Sequence, residues 1–449
     1  MSRAASTAPR TPTAVAGVWA LFAAFAFLQL GNGLQRILLP IRGEAEGIGA
    51  GAMGMVMAFH FGGYLLGAKV ITRALRRVGH IRVFAALAST ASTAVLVNAV
   101  LVTAWSWSLV YLVGGMCNAG VFVVLESWLN DRASNETRGR ILGLYMMLMM
   151  GGTAGGQWLV NVGAPEGFEL FVLSSVLISL AVIPVTLFAS STPPMTSADS
   201  MPVREIYRTI PSAVVGLFFC SFVQSAATSM GAVYGTESGM STAKVATFTS
   251  VAVIGAVVLQ MPLGTLSDRY PRRAVIASVT AVSCLLAAFG MFVPASGNLI
   301  LLLNFSFGAF VFPLYGQFVA LANDWIPPEK RLAAASGMVM VSGVGAVLSP
   351  LVMAFAMEAF GPSGYYGSLS AVLAALVVYL LIRIRVREAI PVERQSTFQP
   401  VLARSGEIAH SVGRWVRHPL HEWLAHHGRR HLQAPEDQVE GGEGGGTTV

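Results

Sequence analysis

The chain has 449 residues, 54% of them hydrophobic and only 11% charged. Soluble domains carry roughly 25% charged residues, so a soluble fold would lack the polar surface to cover itself, and most of this chain must face lipid. The net charge of +7 sits in loops and in the C-terminal tail, which favours lipid headgroups and membrane orientation over nucleic acid.

Crossing a hydrocarbon core takes roughly 20 apolar residues. Segments of that kind run near 15–40, 50–72, 82–103, 107–130, 139–162 and 168–190, then near 211–235, 243–266, 274–294, 298–323, 333–358 and 364–384. The expected organisation is a cytoplasmic N-terminus (1–14), a six-helix bundle (15–190), a linker (191–210) with Pro193, Pro194 and Pro202, a second bundle (211–384) and a basic tail (385–449). Arginines gather in alternate loops: Arg73, Arg76, Arg77 and Arg82, then Arg132, Arg138 and Arg140, and later Arg269, Arg272 and Arg273. The opposite loops hold only Arg42 and Lys244. The positive-inside rule then places both termini in the cytoplasm and requires an even number of spans. In the tail, Ile408, Val412, Trp415, Val416, Leu420, Trp423 and Leu424 recur at helical spacing among Arg and His. That pattern fits a helix lying on headgroups, or equally a solvated basic tail. Cys117, Cys220 and Cys284 lie in separate apolar runs and read as small buried residues.

A duplication runs through the chain at an offset of 192–193 residues. Asn130-Asp131, with Arg138 following, is matched by Asn323-Asp324, with Arg331 following. The loop Arg76-Arg77-Val78-Gly79-His80-Ile81-Arg82 is matched by Asp268-Arg269-Tyr270-Pro271-Arg272-Arg273. The glycine-rich run Gly152–Gln157 of span five is in register with Gly345–Pro350 of span eleven. Two six-span halves in parallel repeat are a layout of transporters that rock around a midplane site.

Gly264-Thr265-Leu266-Ser267-Asp268-Arg269-Tyr270-Pro271-Arg272-Arg273 resembles the loop motif G-x-L-x-D-R-x-G-R-R of the major facilitator superfamily, with Pro271 at the second glycine. Val124–Asp131, Arg138-Gly139-Arg140, Tyr145-Met146, Phe312–Gly316 and Ala322-Asn323-Asp324 resemble its YcaD-like branch. The resemblance covers roughly residues 15–385 and implies an all-α integral membrane fold of twelve transmembrane helices in two bundles, working by alternating access. Three positions depart from the pattern: Arg76 stands at the motif aspartate of the first half, Leu321 where relatives often carry His, and Gln157 where antiporters carry Pro.

Of the 22 acidic residues, Glu126 alone is placed inside a span, about one turn (~6 Å) from its cytoplasmic end. It is the candidate proton-coupling group, with a static pair to Lys69 or to a loop arginine as the alternative. His60, near the middle of span two, is a candidate relay. The resemblance implies that spans one, four, seven and ten line the cavity. On them lie Gln29, Asn32, Asn118, Gln224, Asn304, Tyr315 and Gln317, a set suited to a small organic solute or to interhelical bonding. Arg36 either attracts an anionic substrate or snorkels to headgroups. Asp131 with Arg138, and Asp324 with Arg331, are candidate gating pairs. Gly264, Asp268, Arg269, Arg272 and Arg273 belong to the same gate, with Asp268 accepting N–H groups at the start of span five and Arg272 or Arg273 pairing with Asp324.

No Walker loop, metal-ligand cluster or nucleophile–base set occurs, which argues against ATP-driven pumping, a metal or cofactor, and catalysis. The expectation is a monomeric, proton-coupled carrier of a small organic solute in the cytoplasmic (inner) membrane. The alternative is a transporter-like receptor or scaffold acting through the tail.

Overall fold

The computed structural model describes residues 12–132, 138–188, 201–386, and 391, 392, 395, 396 and 398. The tail helix expected over 408–424 lies outside them. The described residues form twelve long helical rods and no strand. In the first half these are α1 (Pro12–Ala45), α2 (Ala50–Val78), α3 (His80–Val100), α4 (Ala104–Arg132), α5 (Arg138–Trp158) and α6 (Glu169–Leu180, resumed at Val182–Phe188). In the second they are α7 (Pro211–Glu237), α8 (Thr242–Arg269), α9 (Arg272–Gly290), α10 (Leu299–Trp325), α11 (Arg331–Phe360) and α12 (Ser363–Val386).

Ten of the rods are long and apolar enough to cross a membrane. The other two, α1 and α5, pack on each other where Gly33 meets the backbone at Thr153 and Gly156. Several helices outrun the apolar runs that mark them. For example, α2 continues through Arg77 to Val78, because its hydrogen-bond ladder persists after the lipid-facing residues end. Gly79 then turns the chain directly into α3 at φ +88°, a conformation that only glycine adopts readily. The linker also contains a short helix, Val203–Thr209. A bond from Met201 N–H to Ala333 C=O (2.9 Å) and the ion pair Lys330–Glu205 (3.3 Å) tie this linker to the second half.

The duplication is physical as well as textual. Lipid tails give apolar helices no hydrophobic reason to associate, so close packing through small residues does that work. In the first half α2 crosses α4 so tightly that a Cβ on Gly63 would overlap Leu112 C=O, and one on Gly115 would overlap His60 C=O. In the second half α8 crosses α10 in the same way: a Cβ on Gly255 would overlap Phe305 C=O, and one on Gly308 would overlap Ala252 C=O. All four positions are displaced by the same 192–193 residues. The other pairings also correspond, α1–α5 with α7–α11 and α3–α6 with α9–α12.

The halves meet along two seams, α2 on α11 and α5 on α8. Both are tightest toward the face with few basic residues. There a Cβ on Gly54 would meet Pro350 C=O and Ala354, and one on Gly51 would meet the Glu358 carboxylate. Across the second seam, Ser250 Oγ donates toward Gln157 Oε1 (3.0 Å) and Ala154 C=O (3.3 Å). Beyond Ser250 the same face of α8 is uncovered. Val257 and Met261, about two and three turns on, are 52% and 62% exposed. The halves therefore touch at the arginine-poor face and part toward the arginine-rich one.

Candidate functional site

Between the halves lies a cavity of about 1100 Å³, open mouth included. Eight helices line it, four from each half: α1, α2, α4 and α5, and α7, α8, α10 and α11. Its walls carry Phe61, Tyr64, Phe122 and Phe312, with polar groups from Thr153, Ser221, Ser225 and Thr228. Ser225 and Thr228 come from α7, where a π turn at Ala226–Met230 re-aims the side chains. Such turns recur at functional sites.

Of the side chains expected to line it, Gln29, Arg36 and Gln224 do so. The Gln29 amide donates to Met149 C=O (3.2 Å) and Thr153 Oγ1 (3.1 Å), fixing α1 on α5. The Gln224 amide donates to Phe312 C=O (3.0 Å) and Val311 C=O (3.3 Å), fixing α7 on α10. Tyr315 is buried off the wall, on the same helix as the lining residue Phe312. Asn304 donates to Phe248 C=O (2.7 Å) and so serves the α8–α10 crossing. Gln317 and Asn32 are buried and Asn118 half-buried, none of them on the cavity wall. His60 is also off the wall, its ring 5.3 Å from that of Tyr111.

Glu126 is buried at 4% exposure and accepts a hydrogen bond from Tyr145 Oη at 3.0 Å. Because α4 continues to Arg132, Glu126 lies deeper than the sequence suggested, about 9 Å from the helix end at 1.5 Å per residue. Tyr145 stacks on Phe25 of α1 (4.6 Å, 11°), and Phe25 meets Phe122 edge-on. The carboxylate is thus held one turn from the wall residue Phe122. The side chain of Lys69 lies outside the described residues, as do those of Asp131 and Arg138.

On the arginine-rich face the residues of the loop motif form one cluster. Arg272, 1% exposed, reaches Asp268 Oδ1 (3.0 Å) and Asp324 Oδ2 (3.4 Å). Arg273 lies 5.5 Å over the Trp325 ring, while Arg269 is exposed. Arg331 donates to Asn323 C=O (2.7 Å) and Ile326 C=O (3.2 Å), closing the end of α10. One expectation needs correction. Asp268 accepts from Phe398 N–H (2.8 and 3.0 Å), a residue beyond α12, rather than from the start of α5. The parted halves account for this difference.

At the opposite face, Ala50 N–H at the start of α2 donates to Glu237 Oε1 at the end of α7 (3.0 Å). Glu358 of α11 stands beside Gly51. A carboxylate at a partly buried helix N-terminus contributes about 1 kcal/mol, so Glu237→Ala is expected to open this seal about fivefold more often. Labelling of Thr228→Cys by an impermeant maleimide from that face measures it, in a protein lacking the native cysteines. An unchanged labelling rate would remove Glu237 from the seal.

The Major Facilitator Superfamily profile matches residues 213–430. The "Uncharacterized MFS-type transporter YcaD" of Salmonella newport is 26% identical over 374 residues, spanning 82% of this chain and 95% of that protein. Its namesake from Escherichia fergusonii is 23% identical over 370 residues, with the same coverage. The chain is thus similar to the major facilitator superfamily. Solved transporters share its fold. The nucleoside transporter NupG superimposes with a TM-score of 0.69 at 12% identity, covering 84% of this chain and 100% of its own. A bacterial homolog of the human lysosomal transporter Spinster, inward-facing and unoccupied, gives 0.65 at 15%, covering 91% and 99%. These likenesses support a multi-pass membrane transporter of the alternating-access type.

Sequence reasoning passed over Gln157 and Ser250 as a seam contact, Glu237 as a seal, and Tyr145 as the partner of Glu126. Gln157 stood out only as a departure from the antiporter pattern, and Tyr145 only as part of a family signature.

Proposed function

We propose that the chain is a proton-coupled secondary transporter of a small organic solute in the cytoplasmic membrane. The carrying observation is a two-half cavity, sealed at one end, with a buried carboxylate one turn behind its wall. The positive-inside rule assigns the arginine-rich face, and both termini, to the cytoplasm. The structure is then the inward-facing state. Rocking of the halves would close the cytoplasmic ends and break the Glu237 and Ser250 contacts. Glu126 would take a proton in one state and release it in the other, because hydrocarbon makes its charged form costly unless the cleft admits water. The cavity is complete within one chain, which supports a monomer.

Arg36 is the one charged side chain among the described wall residues. Opposed by aromatic and amide groups, it suits a solute with an apolar body and an acidic group. Charge-assisted hydrogen bonds of this kind contribute about 1.5–3 kcal/mol. A thermal-shift screen of the purified protein against metabolites and drugs tests this reading. Organic acids are expected to stabilise it, and Arg36→Gln to weaken their binding about tenfold or more. Stabilisation by cations alone, or an Arg36→Gln protein that binds the same acids equally well, contradicts it.

A further inference from the structure

The gate cluster on the arginine-rich face holds a piece of the chain that has no counterpart in the repeat. Ser396 N–H and Oγ both donate to Asp324 Oδ1, at 2.7 and 2.6 Å. Ser396 C=O in turn accepts from Arg272 Nη2. Two residues on, Phe398 N–H donates to both oxygens of Asp268, and its ring fills the space over Gly264, where a Cβ would overlap it. The Gln395 amide, oriented as its neighbours require, donates to Ser267 C=O and accepts from Arg272 N–H, each at 3.1 Å. A short peptide thus bonds two carboxylates and a buried guanidinium at once. Hydrogen bonds to ionised groups are roughly twice as strong as neutral ones, so this is a built docking site and not a passing contact.

Its position on α8 gives it a consequence. Ser250, which packs on α5 at the sealed end, and Asp268 are separated by 18 residues of one helix, about five full turns. They therefore share a face. Along that face Ser250 is covered by α5, Val257 and Met261 are exposed, and Gly264 is buried under Phe398. When the halves rock shut on the arginine-rich side, α5 must approach this same face of α8. The peptide lies where α5 would go.

We infer that Gln395, Ser396 and Phe398 form an intramolecular latch: docked on the Asp268–Arg272–Asp324 site, they occupy the α8 face that α5 needs and hold the transporter open toward the arginine-rich side. Release of the segment would then be a step in the transport cycle, and anything that captured the tail would set the transport rate. The motif glycine Gly264 acquires a specific task here, since only a residue without a side chain leaves room for the Phe398 ring.

The test is a distance measurement on the full chain in nanodiscs, with the native cysteines replaced and spin labels at Arg77→Cys and Glu329→Cys. These exposed positions lie at the arginine-rich ends of the two halves. In the otherwise unaltered chain the long, open distance is expected to dominate. Phe398→Ala removes the ring, and Ser396→Pro removes the N–H and hydroxyl donors to Asp324. Each is expected to raise the short-distance population at least threefold, whereas Ser396→Thr, which keeps both donors, leaves it unchanged. All three variants lie beyond α12, outside the packed helices. Distributions unaltered by both Phe398→Ala and Ser396→Pro would overturn the latch, and so would an equal rise with Ser396→Thr. A chain that shows both distances but ignores these substitutions still rocks, so failure of the latch is distinguishable from failure of alternating access.

Discussion

Replacing Glu126 by Gln is expected to abolish uphill accumulation of solute while leaving solute exchange between the two sides nearly intact. Glutamine keeps the size of the side chain and still accepts from Tyr145 Oη, the bond that now measures 3.0 Å. It mimics the protonated acid permanently. The loaded protein can rock, because no charge has to be carried through hydrocarbon, but it can no longer exchange a proton with the cleft. Accumulation against a gradient should fall by about a hundredfold, since coupling rests on this one titrating group, and exchange by no more than about twofold. Both are read in proteoliposomes under an imposed pH gradient, with the organic acid that stabilises the protein best. Tyr145→Phe removes the donor and leaves the carboxylate, so it should weaken coupling without eliminating it. Uphill transport at the wild-type rate in Glu126→Gln would show that Glu126 is a structural group.

The second large effect concerns the crossings that make the two halves alike. Gly115→Ala and Gly308→Ala each drive a methyl into a backbone carbonyl, of His60 and Ala252 respectively. A flexible side chain could step aside, but a helix backbone cannot without separating α2 from α4 or α8 from α10. Overpacking costs typically about 1–3 kcal/mol where neighbours relax, and these sites should reach the upper end of that range or exceed it. Thermal unfolding of the purified variants measures the cost. Matched losses in the two halves are expected. Gly114→Ala, beside Gly115 but with open space around it, should leave the melting temperature within about a degree. A tolerated Gly308→Ala would contradict the equivalence of the two crossings.

The architecture was legible because hydrocarbon imposes it. Only a chain that satisfies its own backbone crosses lipid, so apolar runs, basic loops and one constant offset lead to paired six-helix bundles. Helix ends were less legible. Hydropathy stops at Arg73, but the α2 hydrogen bonds run on to Val78. Gln29, Arg36 and Gln224 were readable as cavity residues because polar groups in lipid demand a reason. Asn304 and Gln317 carry the same signal yet sit away from the wall, since sequence depth says nothing about which way a helix face turns. The partner of Asp268 was not legible at all. Its donor is a main-chain N–H, which every residue but proline possesses, on a lone Phe398 in a polar stretch with no period to mark it.

The account depends on the two halves exchanging closure between faces, and one pair of distances measures that directly. Spin labels at Glu46→Cys and Asn298→Cys report the arginine-poor face, and labels at Arg77→Cys and Glu329→Cys the arginine-rich one, all at exposed positions. In nanodiscs across a range of pH, the account predicts two populations per pair that change in opposite senses, one face lengthening as the other shortens. A single fixed distance at both faces under every condition would contradict it.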